Sequence, residues 1–406
     1  MPMPGDSPST LDEVPVQRAQ NSNVLNLFGY RPISADSHIV EPPGCYRDHI
    51  DPKYRDIAPH VEKNPAGGDI FIVDRMSMKI PMGAMASAGV DVAVVDIGRS
   101  TYADIHRGGF DGGARVRDQD RDGLAGEIVY PSVGMLICGH PDPGYKTACF
   151  DAYNRWLQGF QDAAPDRLFG IGQTAARTVK DTIRDFEKIR EMGFYGVMMP
   201  CDPGTEFDYD DPSWDPAWQA AVDLKLPLSF HILTSSRGVA SIDPDNPTPS
   251  EFRGTSKHNR TQGLIRANQD IIGMFIWGGI FERFPDLRLV CAEADAGWAP
   301  HYAYRMDHFY HQPRAKKEGI PARPPSEYFH ENVYMTFQDD LVAFKLTDMM
   351  NPGRLMWASD FPHPDSTWPN SQDLLLKHTG TLTDETRRRI LRDNVSSLYG
   401  LPVGRS

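Results

Sequence analysis

The sequence predicts an α/β fold, a (β/α)8 barrel of the TIM type with loop insertions at the C-terminal face. Two observations predict it. Short apolar runs alternate with amphipathic segments along most of the chain, the pattern of parallel strands with crossover helices. Four of those runs also end in an acid or a histidine, where a parallel barrel gathers its strand ends at one mouth.

The strand candidates are residues 33–35, 90–97 (VDVAVVDI), 128–133 (IVYPSV), 168–171, 196–199, 228–230, 289–292, 333–336 and 355–358. Most are four to eight residues long, rich in Val, Ile and Leu, and bounded by polar residues, Gly or Pro, as buried parallel strands are. Helices fall between them. Residues 178–192 place Val179, Ile183, Phe186 and Ile189 on one face and stop at Gly193. Residues 216–224 follow a candidate cap, Asp215, with Pro216 at the first helical position. A third helix is expected at 268–284. The reading gives a polar, aperiodic arm at 1–30, in which 24–28 are apolar enough to dock. The barrel spans 31–402, with insertions of loop character at 41–89 and 234–262. Long loops on such a barrel build the substrate pocket.

Bulk properties narrow the class. The chain has 406 residues, 40% of them hydrophobic, enough for a large core. No apolar run approaches the ~18 residues needed to cross a bilayer. The N-terminus lacks a basic stretch followed by an apolar one, so a cytoplasmic protein without membrane contact is expected. A net charge of −13 argues against nucleic-acid binding, which needs a basic footprint. Cys45, Cys138, Cys149, Cys201 and Cys291 are scattered, with no CxxC pair, so neither a disulfide framework nor a thiolate zinc site is expected. A metal here would take His, Asp and Glu.

Those residues stand at the strand ends. The first run leads into Asp36-Ser37-His38, with Glu41 close behind. The run at 228–230 ends in His231, that at 289–292 in Glu293, and that at 355–358 in Ser359-Asp360. Asp36 and His38 are two apart on a strand, so their side chains share a face. Asp36, His38, His231 and Asp360 together offer oxygen and imidazole ligands suited to a catalytic Zn, Mn or Fe ion. Taken singly, each has a structural alternative: a histidine after a strand is often a core residue, and Asp360 before Phe361-Pro362 resembles a helix cap.

The segments Ser34-Ala35-Asp36-Ser37-His38-Ile39-Val40-Glu41-Pro42, Pro227-Leu228-Ser229-Phe230-His231, Glu293-Ala294-Asp295-Ala296-Gly297-Trp298 and Ala358-Ser359-Asp360-Phe361-Pro362-His363 resemble the amidohydrolase superfamily, in the branch of aminocarboxymuconate-semialdehyde decarboxylase. The resemblance covers roughly 31–402, closing on Asp393-Asn394 and Tyr399-Gly400. It implies a metal at the C-terminal mouth, held by Asp36, His38, His231 and Asp360, with Asp360 also carrying protons. It also implies a homo-oligomer, for which the Gly278-Gly279 step and the 41–89 insertion offer surfaces. Two positions depart from the family. Asp36 replaces the first His of the usual pair, and Glu293 stands where many relatives have His. With Glu41 and His301 as further candidate ligands, the carboxylate-rich set favours harder ions and admits two irons.

Three readings follow. One is a hydrolase or non-oxidative decarboxylase of a small carboxylated, partly apolar or aromatic substrate, with one divalent metal, Asp360 as acid or base, and His301 or His363 relaying a proton or holding substrate. The second is a dinuclear non-haem iron oxygenase with Glu41 or Glu293 bridging. The third is a barrel with no catalytic role. Tyr130, Trp298, Phe337, Phe361 and Trp368 are candidate aromatic contacts to substrate or core residues. Arg305, with His308, is a candidate for a substrate carboxylate or a solvated helix face, and Arg107, Arg115 and Arg117 are equally open.

Overall fold

The computed structural model describes residues 27–76, 79–91, 96–235, 257–318 and 321–402. Eight parallel strands form one sheet: β1 (Ile33–Ser34), β5 (Gly126–Val129), β6 (Leu168–Gln173), β7 (Gly196–Met199), β8 (Leu228–His231), β9 (Leu289–Ala292), β10 (Val333–Phe337) and β11 (Leu355–Trp357), hydrogen-bonded in that order. The ring closes between its first and last strands, where Ala35 N–H donates to the Trp357 carbonyl at 3.0 Å. Ser359 N–H reaches the Ser34 hydroxyl just beyond. The expected (β/α)8 barrel is therefore the fold. Every residue of these strands is buried, which is why they read as unbroken apolar runs.

The helices follow from local signals. Thr178 caps the helix Val179–Glu191 by accepting from Asp181 N–H, and Gly193 takes a positive φ of 81° just after it. Asp142 caps the longer helix Pro143–Asp162 in the same way, accepting from Gly144 and Tyr145. Asp215 lies inside the first turn of its helix, Asp215–Asp223, and does not cap it; its carboxylate pairs with Arg283 instead. The third predicted helix starts earlier, as Lys257–Trp277, and breaks at Gly279 before a short turn, Ile280–Arg283.

Other expectations need correction. The insertion at 41–89 is not loop alone. It holds an antiparallel sheet of β2 (His60–Lys63), β3 (Asp69–Ile72) and β4 (Ile80–Pro81), followed by the short helix Met82–Met85. Strands of two to four residues are too short to show a periodicity. The candidate strand 128–133 stops at Val129, and Val133 opens the helix Val133–Ile137. The candidate at 90–97 has its centre, 92–95, outside the described residues, as do residues 1–26 of the arm and 236–256 of the second insertion. Leu27 to Tyr30, assigned to the arm, pack on the barrel: Leu27 N–H donates to Gln372, and Tyr30 is buried. Gly278 makes its close approach within the chain, against Asp210. No described helix is long and apolar enough to cross a membrane.

Candidate metal centre and cavity

The strand ends bring five donor-bearing side chains to one point. Asp36 and His38 follow β1, His231 ends β8, Glu293 follows β9 and Asp360 follows β11. His38 Nε2 lies 3.5 Å from Asp36 Oδ1, 3.6 Å from Glu293 Oε2 and 3.3 Å from Asp360 Oδ1. His231 Nε2 lies 3.4 Å from Asp36 Oδ2 and 3.3 Å from Glu293 Oε2. Ligands bonded to one ion at about 2.1 Å sit roughly 3.0–3.4 Å apart in octahedral or tetrahedral arrangements, and two groups approach such spacing, Asp36 with His38 and His231, and His38 with Glu293, Asp360 and His363, joined through His38.

The hydrogen bonding also suits a cation. His38 Nδ1 is 2.8 Å from the Pro131 carbonyl and His231 Nδ1 is 3.0 Å from the Ile232 carbonyl. A carbonyl only accepts, so each Nδ1 carries the proton, and each neutral imidazole turns its Nε2 lone pair toward the carboxylates. Five buried atoms there have no hydrogen-bond partner: Asp36 Oδ1, His38 Nε2, His231 Nε2, Glu293 Oε2 and Asp360 Oδ1. Buried polar atoms are normally paired, because leaving one unpaired costs about 1–3 kcal/mol. Protonation is the alternative remedy without a cation. Burial opposes charge on His38, but Asp360, Glu293 and Asp36 outweigh it and push its pKa well above 6.5. His231 is raised as well: burial again opposes, and Asp36 and Glu293 prevail. Burial would raise Asp360, yet His363 and His38 hold its carboxyl well below the usual range.

Both Glu293 and Asp360 have left-handed backbones, with φ of 53° and 56°. Such conformations cost an L-residue of order 1–3 kcal/mol and concentrate at functional sites. Here they turn each carboxylate inward as its strand ends.

His363 completes one side. Its ring stacks on His38 at 4.0 Å, its Nδ1 is 3.1 Å from Asp360 Oδ1 and its Nε2 is 3.0 Å from Ser132 Oγ. Beside this pair lies a cavity of about 410 Å³. Ser132, Glu293, Asp360 and His363 are the polar groups next to the donor cluster, while Met85, Met135, Leu136 and Leu233 contribute apolar wall. Ile80 and Pro81 of β4 show that the first insertion helps build the pocket.

Several predicted site residues lie elsewhere. Glu41 is fully buried, but both its oxygens are engaged: Val133 and Gly134 N–H donate to them at 3.0 Å, and Tyr46 adds a hydroxyl. It serves the start of the helix Val133–Ile137, and burial raises its pKa. His301 and Arg305 are exposed on the helix Ala299–Tyr310. That helix buries Ala299, Pro300, Ala303 and Met306, so its period turns 301, 304, 305 and 308 outward. Trp298 is spent on its own turn, donating Nε1–H to the Ala294 carbonyl. Tyr130 packs beneath His231 and shares its hydroxyl with Ser229, while Phe337, Phe361 and Trp368 belong to the core. Arg115, left open above, is fully buried: it pairs with Glu127 and donates to the carbonyls of His38 and Phe361.

Ser132, Thr336 and Gln338 were missed. Ser132 follows β5, but the strand was read as running to residue 133, which placed Ser132 inside it and hid it from the strand-end rule. Thr336 and Gln338 carry no chemical signature alone. They matter because Thr336 Oγ1 is 3.1 Å from Asp36 Oδ2 and Gln338 Nε2 is 3.3 Å from Asp360 Oδ2.

Fold and site define a (β/α)8-barrel enzyme with a candidate metal centre at its C-terminal mouth. The sequence profile of the family described as Amidohydrolase matches residues 145–401, and the chain belongs to that family. It is similar to gamma-resorcylate decarboxylase of Polaromonas sp. (strain JS666 / ATCC BAA-500), 22% identical over 211 residues, or 49% of this chain and 61% of that relative. It is also similar to 2-amino-3-carboxymuconate-6-semialdehyde decarboxylase of Dictyostelium discoideum, 20% identical over 317 residues, 74% of this chain and 79% of the relative. Among solved structures, an amidohydrolase from Mycobacterium avium subsp. paratuberculosis K-10 superposes with a TM-score of 0.72 at 18% identity, covering 93% of this chain and 100% of that one. A 5-carboxyvanillate decarboxylase from Novosphingobium aromaticivorans DSM 12444, complexed with manganese and 4-hydroxy-3-methoxy-5-nitrobenzoic acid, superposes at 0.65 with 17% identity, covering 95% and 100%. None of these four is described as an oxygenase.

Proposed function

We propose that this chain is a metal-dependent, non-oxidative decarboxylase of a small aromatic or otherwise unsaturated carboxylic acid. One observation carries the reading: five unpartnered donor atoms at one point beside an apolar-walled cavity. The decarboxylase relatives favour loss of CO₂ over hydrolysis. Asp36, His38, His231, Glu293 and Asp360 would hold a divalent ion. Such an ion supplies a Lewis acid for a substrate oxygen. Three carboxylates among the donors suit manganese or iron better than zinc.

The residues around the cavity supply the rest. Ser132 Oγ donates its proton to the Ile39 carbonyl at 2.7 Å, so toward His363 it accepts, and His363 Nε2 carries a proton. His363 Nδ1 then faces Asp360 Oδ1 at 3.1 Å, close enough to pass a proton to it. The pair thus offers a route for a proton from solvent to the cavity. Decarboxylation needs one: the carbon–carbon bond breaks, CO₂ leaves, its electron pair stays on the substrate carbon, and that carbon takes a proton. Asp360 delivers it, His363 resupplies Asp360, and solvent resupplies His363. Met85, Met135, Leu136 and Leu233 give neutral CO₂ an apolar wall to leave along, while Lys79 supplies a cation in the same lining for a substrate carboxylate.

The test is to incubate the manganese-loaded protein with a panel of hydroxylated benzoates and carboxylated muconate-type acids, recording CO₂, products and dissolved oxygen. CO₂ equal to the decarboxylated product, no oxygen uptake, and loss of activity on chelation reversed by manganese are expected. Substrate-dependent oxygen uptake, or cleavage of esters or lactones without CO₂, would overturn the proposal.

A further inference from the structure

Strand β10 carries no acid and no imidazole, yet it touches the donor cluster. Thr336, fully buried in that strand, makes two contacts through one hydroxyl. Its Oγ1 accepts from Glu293 N–H at 2.8 Å and lies 3.1 Å from Asp36 Oδ2. An amide N–H only donates, so the hydroxyl proton is free to go to Asp36 and has a carboxylate waiting for it. The direction of both bonds follows.

The backbone explains why a side chain is needed. The ladder between β9 and β10 ends at the pair Cys291–Met335. Glu293 then turns into the left-handed region, with φ of 53°. Thr336 takes the amide that the turn would otherwise leave without a partner inside the barrel. The same hydroxyl ties down Oδ2 of Asp36, leaving Oδ1 as the oxygen without a partner. One group therefore sets a carboxylate after β1 and the turn that carries a carboxylate after β9.

We propose that Thr336 is a positioning residue for the metal centre, fixing the rotamer of Asp36 and the turn at Glu293 so that both carboxylates face the ion. The proposal rests on the metal-binding part of the proposed function. Its test measures manganese affinity directly, by competition with a fluorescent chelator, on the purified full chain and on Thr336→Val and Thr336→Ser. Valine keeps the shape and removes the hydroxyl; serine keeps the hydroxyl and removes the methyl.

Loss of an outer partner of a metal ligand weakens binding by about 10–100-fold, and Thr336→Val should fall in that range while Thr336→Ser stays near wild type. In the background Asp36→Asn the valine effect should shrink, since one of the two contacts is already altered. If Thr336→Val does not fold, Thr336→Ala is compared with Thr336→Ser, and the affinities must separate in the same sense. Equal affinity with and without the hydroxyl overturns the role of Thr336 and leaves the metal reading standing. A wild-type chain that binds no manganese overturns both.

Discussion

Two buried charged clusters sit side by side near the barrel mouth, and they are built on opposite principles. Arg115 and Glu127 form a compensated pair. The guanidinium reaches Glu127 and the carbonyls of His38, Gly108 and Phe361, and Gln119 adds a bond to the same carboxylate. The neighbouring cluster of Asp36, His38, His231, Glu293 and Asp360 leaves an atom unpartnered on each residue. Other buried atoms without a partner among the described residues include those of Trp218 and Asn268. The first cluster holds the backbone of the second in place, since His38 is one of the donors and Phe361 follows Asp360. Buried polar atoms are normally paired, so five unpartnered ones in one cluster are the arrangement a bound cation would complete.

The contrast can be broken experimentally. The largest effect should come from the donors. His38→Ala or His231→Ala should remove most bound metal and with it activity, with circular dichroism near wild type; full metal content in both would end the metal reading. Asp360→Asn keeps one oxygen and loses the basic carboxylate, so turnover should drop by about 10²–10⁴-fold with metal largely retained. An unchanged turnover number would exclude proton transfer by Asp360.

Arg115 should respond in stability rather than chemistry. Arg115→Leu leaves Glu127 buried without its charged partner, at a cost of about 3–5 kcal/mol in urea unfolding. Removing both charges together should cost less than removing Arg115 alone. Equal costs would mean the pair is not coupled.

A smaller effect separates the clusters by pH. In metal-free protein the folded pKa values of His38 and His231 are raised. Their contribution to stability is therefore complete below the unfolded value near 6.5 and is lost as pH rises through the folded values. Metal binding needs the deprotonated imidazoles, so it strengthens over the same rise. Melting temperatures with chelator should fall toward alkaline pH, and the gain on adding manganese should grow. A gain that shrinks instead would contradict the assignment. The smallest effect belongs to the outward helix face: His301→Ala and Arg305→Ala should leave turnover unchanged and stability within about 0.5 kcal/mol.

How much of this was legible depends on what carries each signal. The eight barrel strands were readable because each is buried on both sides, so hydrophobicity marks them without any knowledge of neighbours. Asp36, His38, His231, Glu293 and Asp360 were readable because a polar residue at the end of such a run is conspicuous. Glu41 and His301 stood out because they lie a few residues beyond two of those run ends, and the structure takes them elsewhere. Glu41 meets the helix amides of Val133 and Gly134, 92 and 93 residues away. His301 sits on a helix whose start at Ala299 decides which face it joins.

The sequence by itself determined the fold class, the strand ends that face the mouth, and the acid-and-imidazole character of the site, because burial and strand polarity are local properties written in residue order. Only the tertiary structure decided which polar groups share a point, which are already hydrogen-bonded, and which support others. A buried atom's freedom depends on partners from distant strands, as Thr336 shows by reaching Asp36 across 300 positions of chain. No pattern within either segment records that contact.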